Sequence, residues 1–232
     1  GYVAPSYYDE TGTGFLKSFT AGFLTTCGLA AVGSPCVDEG EELPLHGTIG
    51  NTPCERIWWD EDDENIYIHA HINDSGIFTR KFYLKRTITC SKIQNTFRVT
   101  DTIENQGDRE APVMILYHMN MGYPLLSEQS EVKIASACVK PRNEHSAKDL
   151  STWSKMLPPT PGFEEQCYFH TFENEGRASI YSPLIRKGLE IRFDPCTLDH
   201  FTQWKMMGCR DYVLGLEPGN CHPDGRDVMR KE

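Results

Sequence analysis

Apolar residues alternate with polar ones at a period of two along most of this chain. The pattern recurs in Ile66–Asn73, Phe82–Cys90, Thr96–Ile103, Val113–Asn120, Val132–Val139, Gln166–Phe172, Ala178–Leu184, Leu189–Asp194, Phe201–Met206 and Tyr212–Glu217. Successive side chains of an extended strand point to opposite faces, so this period marks strands with one face on a core. Gly, Asn, Asp or Pro separates most of the segments, and a helical period is almost absent. The pattern therefore predicts an all-β antiparallel sandwich or barrel, and the strand number favours a large sandwich.

A chain of 232 residues can bury roughly 70–75% of its unfolded surface, enough for one core without staples. A single sandwich domain over residues 1–232 is expected, with no internal repeat. The segment Lys140–Gly162 carries four prolines and mixed charges, which predicts a surface excursion with a short helical turn near Ala147–Trp153. The acidic run Asp60–Glu64 reads as a solvated turn between strands, because consecutive carboxylates do not converge easily on a metal.

Formal net charge is 23 − 33 = −10. That balance argues against nucleic acid or an anionic membrane as partner and leaves neutral small molecules or proteins. Nine cysteines, odd in number and without a Cys-x-x-Cys pair, suggest reduced and mostly buried thiols rather than a disulfide framework or zinc knuckle. No apolar run approaches the ~20 residues of a membrane span. The N-terminus lacks the basic-then-apolar order of a secretion signal, so a cytoplasmic location is expected.

Four stretches carry candidate chemistry. In Ile115–Leu126, alternation puts Met114, Leu116, His118 and Asn120 on one strand face. Taken alone, a histidine in an apolar strand is more often a satisfied core residue, and Asn120 before Gly122 and Pro124 could simply begin a turn. Glu217 ends the apolar run Val213–Leu216 just before Pro218-Gly219, a strand end where a scaffold can present a functional group. His46 sits in the loop Leu43–Pro53, whose glycines and prolines suit either a pocket wall or an ordinary surface loop. In Phe201–Met206, Trp204 offers a flat apolar platform, while Gln203 and Lys205 on the opposite strand face offer donors. Sugars are bound by such pairings, although an inward Trp and a snorkelling Lys explain the pattern equally well. His69 and His71 share a face without a third ligand nearby, and Cys27 before Gly28 has no basic neighbour. A polar outer face and a packed thiol are the simpler accounts of these.

Read in order, Gly22–Leu29, Leu45-His46-Gly47 with Asn51-Thr52-Pro53, Leu116–Leu126 and Gly215–Asn220 resemble the aldose 1-epimerase (galactose mutarotase-like) superfamily, and within it the DUF4432-type branch. The resemblance runs from about Phe15 to Arg226. It implies a β-supersandwich binding a monosaccharide or sugar derivative on its concave face, with His118 as catalytic acid, Glu217 as catalytic base and His46 helping to hold the sugar. Asn120, Gln203, Trp204 and Lys205 are the further expected sugar contacts. Family members begin with several more strands, so this chain is expected to lack N-terminal strands of that fold. Thr48 also stands where Arg would follow the His-Gly pair, which weakens any expectation of an anionic substrate group recognised there. Ring opening and closure between anomers needs one acid and one base, and no cofactor or metal is expected. The alternatives are a non-catalytic carbohydrate-binding sandwich, which needs the aromatic platform alone, and a sugar isomerase or lyase on the same scaffold.

Overall fold

A computed structural model describes residues 9–232. In chain order its elements are α1 (Phe15–Ser18), β1 (Leu24–Leu29), β2 (Cys36–Asp38), β3 (Glu41–Leu43), β4 (Arg56–Glu61), β5 (Asn65–Ser75), β6 (Lys81–Ser91), β7 (Phe97–Asn105), β8 (Met114–Met121), β9 (Glu131–Ile134), β10 (Cys138–Pro141), α2 (Glu144–Ala147), β11 (Gln166–Thr171), β12 (Gly176–Ser182), β13 (Lys187–Phe193), β14 (His200–Met207), β15 (Tyr212–Gly219) and α3 (Arg226–Met229). The all-β class is as the alternation predicts. One segment differs: Val132–Val139 is two strands, β9 and β10, which lie in different sheets. Between them Ala135 donates to Arg177 O and Ala137 to Thr171 O, so the backbone changes sheets within three residues. The acidic run also starts later than expected as a turn. Asp60 and Glu61 end β4, and the turn closes where Glu64 and Asn65 amides donate to Asp62 Oδ1 at 2.8 and 2.7 Å.

The contacts group the chain into two compact units, one of residues up to Gly47 with Met114–Glu232, the other Thr48–Val113. The first holds a six-stranded antiparallel sheet ordered β1-β8-β15-β14-β11-β10 and a three-stranded sheet ordered β13-β12-β9. Between these sheets lies the main core. Val132, Ala178, Ile180 and Ile191 from the small sheet pack with Phe201, Met207, Leu214 and Leu216 from the large one. Strand β14 shows how alternation divides the labour. Odd positions Phe201 and Met207 enter this core, whereas Thr202 and Trp204 point to the other face. On that other face Phe15, Cys27, Val32, Met114, Leu116 and Cys221 form a second apolar cluster.

The expected excursion is present as α2 with a 3₁₀ turn at Leu150–Thr152. Asn143 caps α2 by accepting from the Ser146 amide at 2.8 Å, and Ser146 Oγ accepts from the Cys167 amide at 3.0 Å, tying the excursion to β11. Cysteine burial departs from the expectation. Cys27, Cys167 and Cys221 are buried, but Cys54, Cys138, Cys196 and Cys209 are exposed. Those four lie in turns or on edge strands, where no core reaches them.

The second unit is the antiparallel meander β4-β5-β6-β7. Its Arg86 and Asp101, paired across β6 and β7, meet in a two-bond ion pair of 2.8 and 2.6 Å. His69 stacks on Trp58 with ring centroids 4.9 Å apart and meets Thr87 Oγ1 at 3.1 Å, while His71 contacts Tyr83 Oη at 3.1 Å. The two histidines thus belong to an aromatic and hydroxyl-rich strand face.

In the first unit α3 is fastened to the β2–β3 hairpin by charge. Arg226 Nε donates to Asp38 Oδ2 at 2.7 Å and its NH2 to Glu41 Oε2 at 2.9 Å, while Arg230 adds bonds of 2.7 to 3.1 Å to Asp38. Asp38 and Arg226 side chains are each 7% exposed, so truncating the acid strands a buried guanidinium. Asp38→Ala should therefore lower the unfolding free energy by roughly 2–4 kcal/mol in urea denaturation. A change under about 0.5 kcal/mol would mean that the Asp38 carboxylate does not hold α3 in place.

Candidate functional site

Three adjacent strands of the six-stranded sheet, β8, β15 and β14, turn a row of side chains onto the face away from the main core. The register sets Asn120 opposite Gly215 and Gly215 opposite Trp204, and sets Glu217 opposite Thr202. His118, two residues before Asn120, shares its face. Its Nδ1 comes within 3.0 Å of Glu217 Oε1. Both groups are almost wholly buried, and neither of these two atoms has an aligned hydrogen bond among the described residues.

His46 reaches the same place from a loop. Its backbone is left-handed, with φ 60°, and is followed by Gly47 at φ 71°. A side chain at position 47 would put Cβ 2.2 Å from Gly28 O, so only glycine fits. The loop is pinned by hydrogen bonds from His46 N to Gly33 O at 2.9 Å and from Gly28 N to His46 O at 3.0 Å. The Gly33 amide also donates to His46 Nδ1 at 3.3 Å, which leaves the proton of the neutral ring on Nε2. Non-glycine residues in left-handed conformations collect at functional sites because surrounding structure must hold them there.

Aromatic rings enclose the histidine. His46, Phe19 and Trp204 have ring centroids 5.5, 5.1 and 5.3 Å from that of His118. Phe15 lies 5.0 Å from His46. These residues line a cavity of about 390 Å³, within the usual range for a small-molecule site. Glu217, Thr202, Arg142 and Glu165 supply its polar wall. Glu165 is oriented by the Trp204 indole, whose Nε1 donates to Oε2 at 2.8 Å. Arg142 is held by Asp224 at 2.8 Å and by Pro223 O at 3.2 Å. Thr202 Oγ1 is buried with no hydrogen-bond partner among the described residues, which leaves its hydroxyl for a ligand.

Burial decides the protonation of the pair. It pushes the Glu217 carboxyl well above the usual carboxylate range, the Glu165 charge adds to that, and Arg142 opposes it. Burial also takes His118 down to about 3, reinforced by His46, while the Asn120 side chain favours the protonated ring. His46 is itself lowered to about 4 by burial and by Arg142. These directions favour the uncharged forms, a protonated Glu217 and neutral imidazoles.

Of the residues expected from the sequence, His118, Glu217, His46 and Trp204 converge on this cavity. Asn120 lies beside it, its Nδ2 donating to Gly22 O at 2.9 Å and to His118 O at 3.2 Å. Gln203 and Lys205 do not line it. They point to the core side of β14, where Gln203 Nε2 donates to Trp153 O at 3.0 Å and Lys205 Nζ to Lys155 O at 2.9 Å. Thr202, Arg142, Glu165, Phe15 and Phe19 belong to the wall and were not expected. Alternation from Trp204 already points to Thr202. Arg142 and Glu165 come from the two ends of the proline-rich excursion and look like solvated charges in sequence.

The whole chain, residues 1–232, matches the model of a domain of unknown function, DUF4432, and belongs to that family. Among solved structures it is similar to one titled "a putative aldose 1-epimerase from Klebsiella pneumoniae subsp. pneumoniae MGH 78578", at TM-score 0.90 and 24% identity. The alignment covers 99% of this chain and 63% of that one, so this chain spans under two thirds of its neighbour's length. The two share one all-β fold. A search of curated proteins finds no significant match.

A carboxyl kept protonated by burial costs folding free energy once the unfolded chain can ionise. For Glu217, with an ordinary value of 4.5, the cost is absent below that pH and grows as pH rises above it. Glu217→Gln removes the titration and keeps the shape. The variant should be more stable than the parent by roughly 1–2 kcal/mol at pH 8, with the gap closing toward pH 4.5, in thermal melts across that range. A pH-independent gap would show that Glu217 is ionised in the fold.

Proposed function

We propose that this DUF4432 chain is a sugar epimerase of the mutarotase type, with His118 and Glu217 as the proton-transfer pair. One observation carries the reading: the 3.0 Å approach of His118 Nδ1 to Glu217 Oε1 inside a cavity walled by aromatic rings. Aromatic faces suit the C–H face of a sugar ring, and the polar groups around them suit its hydroxyls. His46 Nε2–H, Thr202 Oγ and Arg142 are the hydroxyl contacts in this reading.

Anomer exchange moves protons without net gain or loss. Glu217 takes the proton of the anomeric hydroxyl while His118 gives one to the ring oxygen, so that the C1–O5 bond breaks and a free carbonyl forms. Rotation about the C1–C2 bond presents the other carbonyl face, and closure reverses both transfers. The resting proton lies on Glu217, so it crosses to His118 before ring opening. The short contact between them provides that route. The pair then recovers its single proton at the end of each turnover.

Replacing His118 with Asn or Glu217 with Gln should cut the acceleration of anomer exchange about 10²–10⁴-fold with the circular dichroism spectrum unchanged. Exchange is read by NMR over a panel of monosaccharides. Near-parental rates in either variant would exclude the pair. Products with a new connectivity would move the chain to the isomerase or lyase alternative, for which Glu165 offers a further carboxylate.

The pH dependence follows from the shared proton. A second proton enters only near the lowered His118 value, about 3, and the first leaves only above the raised Glu217 value. The profile of kcat/KM should therefore show no acid-side limb at 6.5 from His118. An acid-side limb at 6.5 would show that His118 titrates as an exposed imidazole.

A further inference from the structure

Strand β15 runs through the middle of the six-stranded sheet, between β8 and β14, and carries a glycine at position 215. A glycine there weakens the strand and packs nothing, by roughly 0.5–1 kcal/mol relative to alanine. Gly215 is not among the residues with positive φ, so its backbone asks for no glycine. The sheet face explains it instead. Gly215 lies between Asn120 and Trp204 in the row across the sheet, and two residues before Glu217 on the same side. A Cβ at position 215 would stand 2.1 Å from Glu217 Oε1 and 3.0 Å from its carboxyl carbon. The Glu217 side chain thus folds back over the bare backbone of its own strand, and Oε1 is the oxygen that faces His118 Nδ1.

We propose that Gly215 is a positioning residue: its missing side chain is the seat of the Glu217 carboxyl and holds Oε1 against His118. The colliding atoms are the far end of a flexible side chain, so the fold yields to a methyl group by moving the carboxyl. The other close neighbour, Trp204 Cβ at 3.1 Å, needs to give only a few tenths of an ångström. Stability and geometry are thereby separated at this position, because alanine is compatible with the strand and incompatible with the seated acid. For catalysis the inference rests on the epimerase reading, but the seating itself does not.

The test uses Gly215→Ala in the parent and in a Glu217→Ala background. In the parent, the melting temperature should hold, and the His118 ring-nitrogen NMR signals should shift as Oε1 leaves Nδ1. Where a sugar is turned over, kcat should fall about 100-fold with KM little changed, the size of loss that an ångström of misplacement brings. In the Glu217→Ala background the same methyl group meets no carboxyl, so it should be more favourable to stability than in the parent, a non-zero coupling in the double-mutant cycle. Unchanged His118 signals in Gly215→Ala, or zero coupling, would overturn the proposal. So would failure to fold in both backgrounds, since the backbone rather than the acid would then need the space. If the parent turns over no sugar, the epimerase reading fails while the NMR shift and the coupling still decide the role of Gly215.

Discussion

A carboxyl and an imidazole, almost wholly buried and 3.0 Å apart, are the constraint on which the site depends. Isolated, either group would be expensive to bury. Burial favours the uncharged form of each, because the surrounding rings exclude water from around them. Phe19, Trp204 and His46 around His118 are the means of that exclusion. The cost is carried by the rest of the unit, chiefly the apolar core between its two sheets and the charged clasp of α3 on the β2–β3 hairpin.

The six-stranded sheet separates these two tasks by its pleat. On one face Phe201, Met207, Leu214 and Leu216 bury area against the smaller sheet. On the other Thr202, Trp204 and Glu217 line the cavity from the same two strands. A slip of one residue in register would put Glu217 into the core and Leu216 into the cavity, so the core fixes the site's geometry. The loop holding His46 is fixed differently, by three hydrogen bonds and a glycine whose Cβ has no room. Scaffold and loop meet at His118, where ring contacts from both are made.

Reading the sequence went furthest where periodicity is strong. Long strands such as β5, β6, β8 and β14 follow from alternation, and the excursion from its prolines. The pattern missed β1, because that strand is buried on both faces from Thr26 onward and so does not alternate. It also missed β2 and β3, which are too short to show a period, and β4, which is exposed along nearly its whole length. It joined β9 to β10, since alternation continues through residues that switch sheets. For the site, His118 and Glu217 were marked by polar groups in apolar strands, and His46 by its glycine-rich loop. Arg142 and Glu165 carried no such mark, because a charge beside proline and polar residues looks the same whether it faces solvent or a cavity.

The sequence by itself determined the β class, the two-sided character of each long strand, and the placing of His118 and Asn120 on one strand face, because side-chain direction is a local property of extended backbone. Only the tertiary structure decided which face of β14 meets the cavity, and so that Thr202 and Trp204 line it while Gln203 and Lys205 serve the core. It alone brought Glu217 to His118 across neighbouring strands and gave the pair its burial. Proximity and exclusion of water are set by which strands pair and which sheet covers them, and no stretch of neighbouring residues contains either.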